Sequence, residues 1–210
     1  MEAPPRKPWP LLVAIIVAWL FGVGGCTEGS QIIAGYWSPA PDFGEIAAKG
    51  STDEERAAVR AAGERCLAAT DGARRRVFPF GVATFVLGAA MVVFSARAMA
   101  GRKSARSLLI QLLVVQALFV GVREYATRDL KRECMDITFA AVRLGMKDKD
   151  RPPAITSGDV PSGLLDAGVM VAIALRSLAA GLVVLALTRP RSVAWFDAME
   201  ARRLPPGGAG

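Results

Sequence analysis

The sequence predicts an all-α integral membrane protein: a four-transmembrane-helix bundle with a small extramembrane helical cap formed by the two long loops. Hydrophobic residues make up 52% of the 210 residues and charged residues 21%, and the two kinds occur in separate blocks. This apolar content excludes a disordered chain. Four apolar blocks approach the roughly 20 residues that a helix needs to cross a bilayer. The two longest segments between these blocks each contain one apolar helical stripe.

The four apolar blocks are the predicted transmembrane helices, at residues 9–25, 77–96, 107–122 and 164–188. The first three contain no charge, and the fourth is apolar except for Asp166 and Arg176. The first and third blocks are 17 and 16 residues long. They are short for a span, so they must borrow flanking residues or thin the bilayer locally.

The remaining segments are predicted to be tails and loops: an N-terminal tail at 1–8, a long loop at 26–76, a basic loop at 97–106, a linker at 145–163 and a C-terminal tail at 189–210. Within the long loop, the Pro- and Gly-containing stretch 31–46 is typical of irregular structure. A helix is expected at about 52–70, because Thr52 and Glu55 form a capping box and Gly72 suits a C-terminal cap. The third span is expected to continue as one helix to about residue 144.

The predicted cap depends on two apolar stripes with helical spacing. The loop helix carries Val59, Ala62, Cys66 and Ala69, and the extension of the third span carries Leu130, Cys134, Ile137, Ala141 and Leu144. Both pieces are too small to fold alone, so we expect the stripes to pack on each other. The first stripe is mostly Ala and offers little apolar area, which leaves room for a partner protein.

The amino-acid composition excludes several classes of functional site. The chain has no His and no Asn, which removes His-ligated metals, His-dependent nucleophiles and N-glycosylation sites. We therefore expect no catalytic residues, no metal and no cofactor. The net charge of +7 does not indicate nucleic-acid binding, because four of the basic residues lie in the acid-free loop 97–106, where they are typical of a membrane-topology signal.

The Lys and Arg distribution favours cytoplasmic N- and C-termini. This orientation places ten basic residues inside, and a comparable number lies on the other side. The first span decides the choice: Arg6 and Lys7 precede it, and no Lys or Arg follows until Lys49. Arg- and Ala-rich, Asn-free usage suggests a bacterial gene. The expected location is thus the bacterial cytoplasmic (inner) membrane, with multiple passes.

The first block has an alternative interpretation as a signal sequence. It is followed by Val23-Gly24-Gly25-Cys26, which resembles a bacterial lipoprotein lipobox. The resemblance implies lipidation of Cys26 after cleavage. Because three more spans follow, an uncleaved first helix is the preferred interpretation.

The other two cysteines both lie on the apolar stripes. A disulfide between Cys66 and Cys134 would join the two stripes on the oxidising side of the membrane. The alternative is two separate buried thiols, since Cys is a common small core residue. The chain has no C-x-x-C pair, which argues against a thiol-oxidising enzyme.

Arg176 is the most informative polar residue, because a cation at the centre of a span is costly and usually faces the bundle interior or water. Gln111 and Gln116 on the third span lie at similar depth and are candidate hydrogen-bond acceptors. Near the outer end of the fourth span, Asp166 is a candidate partner for Arg123. We favour a polar clasp between the third and fourth spans, or docking to a partner's acid, over an ion path lined by Arg176.

Small residues at four-residue spacing permit close helix packing. Pairs of this kind in the spans are Thr84 with Gly88, Gly168 with Ala172, and Ser177 with Gly181.

These observations predict a non-enzymatic accessory, assembly or interaction subunit of a larger membrane complex. Its expected partners are the lipid bilayer and other membrane protein subunits, not nucleic acid. One alternative is a small channel or transport component in which Arg176 lines an anion path. A second is a lipid-acting enzyme that uses the polar cluster of Arg123, Glu124 and Asp166.

Overall fold

The computed structural model describes residues 6–38, 42–50, 52–145 and 162–203, with only the backbone described at residues 145 and 162–166. Within these ranges the chain forms eight α-helices and no strand. The helices are α1 (Trp9–Trp37), α2 (Gly44–Ala48), α3 (Asp53–Met99), α4 (Lys103–Ala126), α5 (Arg128–Glu133), α6 (Met135–Gly145), α7 (Ser162–Thr188) and α8 (Pro190–Ala201). Helices α1, α3 and α4, together with residues Ala167–Thr188 of α7, are long and apolar enough to cross a membrane.

The chain divides into two compact units. Unit 1 comprises Met1–Gln31, Gly81–Gly121 and Val171–Gly210. Its core draws side chains from all four long helices and from α8, so these helices pack as one apolar cluster. The most deeply buried members are Leu11, Ile15, Met91, Leu109, Leu113, Leu187 and Phe196.

A tight turn joins α3 to α4 within unit 1. Gly101 adopts a left-handed conformation with φ of 78°, the only positive φ in the described part of the chain. Its amide donates to the carbonyl of Ala98, and the amide of Arg102 donates to the carbonyl of Arg97. This pair of bonds is a Schellman motif, which ends a helix at a glycine and satisfies its last carbonyls.

Unit 2 comprises Ile32–Phe80 and Val122–Met170. Its core joins one face of α3 to one face of α6, with α2 beside them. The buried members are Ala47, Val59, Ala62, Cys66, Ile137 and Leu144, and Phe43, Ile46, Cys134 and Ala140 pack against them. The two apolar stripes of the sequence therefore pack on each other.

Helix α1 is longer than the predicted span 9–25, and the expected irregular stretch 31–46 is only partly irregular. The helix continues to Trp37, and α2 forms at Gly44–Ala48. The chain has no proline between Pro10 and Pro39, so nothing in this stretch removes a helical amide. The Thr27 hydroxyl donates to the carbonyl of Val23 at 3.0 Å, which satisfies a polar side chain inside the helix.

The loop helix predicted at 52–70 does not end near Gly72 and is wrong at that boundary. It continues into the second span as the 47-residue helix α3. Gly72 is helical and its φ is not positive, so it makes no left-handed cap. The cap predicted at the N-terminus of this helix is present, because the amide of Glu55 donates to the Thr52 hydroxyl at 3.1 Å.

The single helix expected from the third span to residue 144 is interrupted twice. Thr127 separates α4 from α5 with φ −104° and ψ 4°, and Cys134 separates α5 from α6 with φ −87° and ψ −3°. The Thr127 hydroxyl donates to the carbonyl of Arg123 at 2.9 Å, a side-chain bond that often bends helices. Cys134 is fixed by its bond to Cys66, so the second break coincides with a cross-link.

The C-terminal tail predicted at 189–210 contains a packed helix. Helix α8 begins with Pro190 at its first turn, a favoured position because that amide has no helical acceptor. Its Trp195 and Phe196 are buried in the core of unit 1. Residues 146–161 of the predicted linker and residues 204–210 of the predicted tail lie outside the described residues.

Candidate functional site

An ion pair occurs within unit 1 between α7 and α1. A guanidinium nitrogen of Arg176 lies 3.8 Å from a carboxylate oxygen of Glu28, with side chains 52% and 37% exposed. Glu28 belongs to the part of α1 that the sequence had assigned to a loop. The longer helix α1 therefore carries a carboxylate to the level of Arg176.

Helix α7 also carries an exposed apolar face. Leu175, Leu178, Leu182 and Leu185 of α7 are each about 60% exposed. They recur at intervals of three and four residues, so they share one helix face. Arg176 follows Leu175 by one residue, which rotates it by about 100° around the helix, to the side that carries the buried Ala180, Val183 and Leu187. The half-exposed ion pair and the exposed leucine face therefore lie on different sides of α7.

The two glutamines expected near Arg176 are not its ion-pair or hydrogen-bond partners among the described residues. Gln111 is exposed on α4. Gln116 is half-buried, and its side-chain oxygen has no hydrogen-bond partner in the described part of the chain. The clasp between the third and fourth spans is thus replaced by a contact between the fourth span and the first.

The polar cluster predicted near the end of the third span lies in unit 2. Arg123 is 4% exposed and donates to Glu124 at 3.0 Å, and Lys131 pairs with the other carboxylate oxygen of Glu124. Lys131 follows Glu124 by seven residues, which returns it to the same face across the Thr127 bend. The side chain of Asp166, the third predicted member, lies outside the described residues.

Helices α1 and α3 approach closely through glycines. A Cβ at Gly88 would lie 2.6 Å from the amide nitrogen of Cys26 and 2.7 Å from the carbonyl oxygen of Gly22. A Cβ at Gly29 would lie 2.5 Å from the amide nitrogen of Phe85. The contacting atoms are backbone and cannot rotate away. Only glycine fits at these positions, as in close transmembrane helix pairs.

The three predicted small-residue pairs differ in their surroundings. Thr84 is buried and Gly88 lies in the α1–α3 crossing. The other two pairs are on α7, and all four of their members are exposed. No atom lies within 4 Å of a Cβ built at Gly168 or Gly181. These α7 pairs therefore make no close helix contact within the described chain.

The three cysteines have two different environments. Cys66 and Cys134 are bonded in unit 2, with an S–S distance of 1.99 Å and a Cα–Cα distance of 4.5 Å. Two ion pairs connect α3 to α6 near this bond, between Arg65 and Asp136 at 3.1 Å and between Arg143 and Glu55. Cys26 is a half-buried free thiol within α1. Its lipidation stays a prediction.

The N-terminal segment, the α3–α4 turn and α8 meet at one end of unit 1. The Lys7 ammonium donates to the carbonyl of Met99 at 2.8 Å and lies 4.9 Å from the ring centroid of Trp195. Partial burial lowers the pKa of Lys7. Lys103 pairs with Asp197 at 2.8 Å. The N-terminal tail, the basic loop and the C-terminal tail were all assigned to the cytoplasm from sequence. Parts of these three segments are thus in contact.

Sequence reasoning missed two kinds of residue. Glu28 escaped notice because the first helix was ended at Gly25, although the absence of proline before residue 39 was a usable signal. The glycines 22, 25 and 29 follow helical spacing in one span, and that spacing was a second signal. Trp195 and Phe196 gave no comparable signal, because α8 is short and bordered by charges.

No family model matches this chain, and neither a characterised protein nor a solved structure shows significant similarity to it. Across residues 6–38, 42–50, 52–145 and 162–203, no group of three or more Cys, Asp or Glu side chains is arranged to hold a metal ion. The candidate functional features of the described residues are therefore the Arg176–Glu28 ion pair, the exposed leucine face of α7 and the basic end of unit 1.

Proposed function

We propose that this protein is a multi-pass subunit of a larger complex in the bacterial cytoplasmic membrane, with an accessory, assembly or interaction role and no catalysis of its own. The four apolar helices support insertion. Helix α3 has 47 residues, about 70 Å at 1.5 Å per residue, whereas a hydrocarbon core is about 30 Å thick. Its charged N-terminal half therefore extends beyond the bilayer, where it takes part in an extracytoplasmic helical cap.

The proposed orientation places both termini in the cytoplasm. Lys7, Lys103 and Arg203 make contacts at the same end of unit 1, which agrees with an even number of crossings. Basic residues near span ends favour the cytoplasmic side. Unit 2, with its disulfide, then lies on the oxidising side, where disulfides persist.

The observation that carries the complex-subunit proposal is the half-exposed ion pair of Arg176 and Glu28. A charged residue that faces lipid at mid-span is costly, and such residues normally face protein or water. In the isolated chain about half of the Arg176 side chain is uncovered, on the side of α7 away from the leucine face. A partner subunit that covers the ion pair removes the guanidinium from lipid.

Charge reversal at Arg176 tests the proposal. Arg176→Glu places a second carboxylate beside Glu28, so we expect the high-mass species on a native gel of mild-detergent extracts to be lost. A photo-reactive residue in place of Ala172, an exposed residue one helical turn before Arg176, should give a membrane-protein adduct that the Arg176→Glu change abolishes.

Two variants serve as controls for this experiment. Arg176→Lys keeps the charge and should retain the complex. Arg189→Glu makes the same charge change at an exposed position away from the ion pair and should also retain it. Migration of the wild-type protein as a lone chain, with only lipid adducts at position 172, contradicts the proposal.

The channel alternative receives less support from the same contact. An anion path requires a net positive lining, and the carboxylate of Glu28 beside Arg176 offsets the positive charge. Chloride efflux from liposomes containing the purified protein distinguishes the two functions. We expect efflux equal to that of protein-free liposomes, whereas efflux that Arg176→Leu abolishes would establish the channel.

A further inference from the structure

A cavity of about 350 Å³ opens at the end of unit 1, between the α3–α4 turn and the last turn of α8. Its lining consists of Gly101, Arg102, Lys103, Ser104, Glu200 and Arg203. Three of these residues are cationic and one is acidic, which leaves an excess of two positive charges. The volume lies in the range of small-molecule sites.

The lining cations are not all neutralised by their neighbours. Lys103 pairs with Asp197 at 2.8 Å, and the Arg203 guanidinium donates one bond to the carbonyl of Ala100. The Arg102 side chain is exposed and makes no ion pair with another described residue. Two guanidinium groups therefore have donors available at the cavity. Guanidinium forks match the oxygens of a phosphate group, which they bind with paired hydrogen bonds.

An exposed and mainly apolar face of α4 continues from the cavity. Leu108 and Val115 follow Ser104 at helical spacing and are 40% and 48% exposed, with the exposed Gln111 between them. A phosphate held by Arg102 and Arg203 therefore has an apolar surface next to it along which an acyl chain can lie. This continuity favours a phospholipid over a free phosphate, since a free phosphate needs no apolar path.

We propose that this cavity binds a phosphate-bearing anion, with an anionic phospholipid headgroup as the favoured source. The inference is independent of the complex-subunit proposal, because none of the cavity residues belongs to the Arg176–Glu28 ion pair. Basic pockets at the ends of transmembrane helices bind phospholipid headgroups by the same chemistry.

Native mass spectrometry of the full chain in detergent tests the site. After titration with phosphatidylglycerol, we expect bound lipid on the wild-type protein and roughly thirty-fold weaker binding for the double variant Arg102→Gln/Arg203→Gln, because each basic residue contributes about five-fold at a membrane surface. Phosphatidylcholine should bind weakly to both. Higher salt should weaken the phosphatidylglycerol adduct.

A matched control removes the same charge without altering the cavity. Arg189→Gln/Arg191→Gln changes two exposed arginines that do not line it, and its affinity should stay within about two-fold of wild type. Arg102→Lys/Arg203→Lys keeps the charge and should retain most of the binding. Circular dichroism should show that all three variants keep wild-type helix content, so that weaker binding is not a consequence of misfolding.

A second arm uses inorganic phosphate with delipidated protein. Thermal stabilisation by phosphate that depends on Arg102 and Arg203, without a phospholipid adduct, supports the site and makes free phosphate its source. A phospholipid adduct with no phosphate response supports the lipid source. Equal binding of both ligands to the wild-type protein and the Arg102→Gln/Arg203→Gln variant overturns the proposal.

Discussion

Gly88→Leu is expected to separate α1 from α3 and to lower the free energy of unfolding by about 3 kcal/mol, the upper end of what overpacking usually costs. A Cβ at this position would already lie 2.6 Å from the backbone nitrogen of Cys26. The clash is with backbone of a facing helix, so it cannot be relieved by a side-chain rotation. Thermal unfolding in detergent should show the loss, together with a lower yield of folded protein.

The matched control for this prediction is Gly121→Leu on α4. No atom lies within 4 Å of a Cβ at Gly121, so the added side chain meets open space. We expect this variant to unfold within about 1 kcal/mol of wild type, because a leucine also has better helix propensity than a glycine. Equal destabilisation by the two variants would mean that the close α1–α3 crossing does not exist.

Removal of the disulfide with Cys66→Ala/Cys134→Ala is expected to lower the stability of unit 2 by about 2–4 kcal/mol. The bond joins residues 68 apart in sequence, which is a long loop. In a bilayer the spans between the two cysteines stay helical when unit 2 unfolds, so the unfolded chain is already restricted. The stabilisation by the disulfide should therefore fall toward the lower end of that range. Alanine suits the site because the surrounding core is already rich in small residues.

Limited proteolysis checks this second prediction. Cleavage within residues 53–76 should be faster in the double variant than in Cys26→Ala, which removes the thiol in α1 and leaves the bond intact. Reductant should accelerate cleavage of the wild-type protein and leave the double variant unchanged. Identical cleavage rates in the two variants would show that the bond does not stabilise unit 2.

The all-helical fold with four long apolar helices was accessible from sequence because such helices depend on local composition. A block such as 77–96 is apolar enough to be recognised without knowledge of its neighbours. The packing of Val59 and Ala62 on Ile137 was accessible too, because both stripes keep helical spacing and each lacked another surface to bury against. The positions of Cys66 and Cys134 on those stripes made a disulfide possible but left two separate thiols as an alternative, and the structure contains the bond.

Helix ends and tertiary contacts were not accessible in the same way. Gly72 resembles a cap in sequence, but a cap also requires a left-handed backbone, and sequence does not report backbone angles. The contact of Arg176 with Glu28 depends on how far α1 continues and on which helix lies beside α7. The cavity near Arg102 depends on α8, whose buried Trp195 and Phe196 have no periodic signal around them.

Cysteine accessibility in intact cells tests the central claim of a four-span protein with cytoplasmic termini most directly. In a chain whose three native cysteines are replaced, single reporters are placed at the exposed positions Glu54 and Ala201. A membrane-impermeant maleimide should label Glu54→Cys in intact cells and Ala201→Cys only after permeabilisation. Labelling of Ala201→Cys in intact cells, with Glu54→Cys protected, would contradict the orientation. Labelling of both only after permeabilisation would contradict the crossing itself.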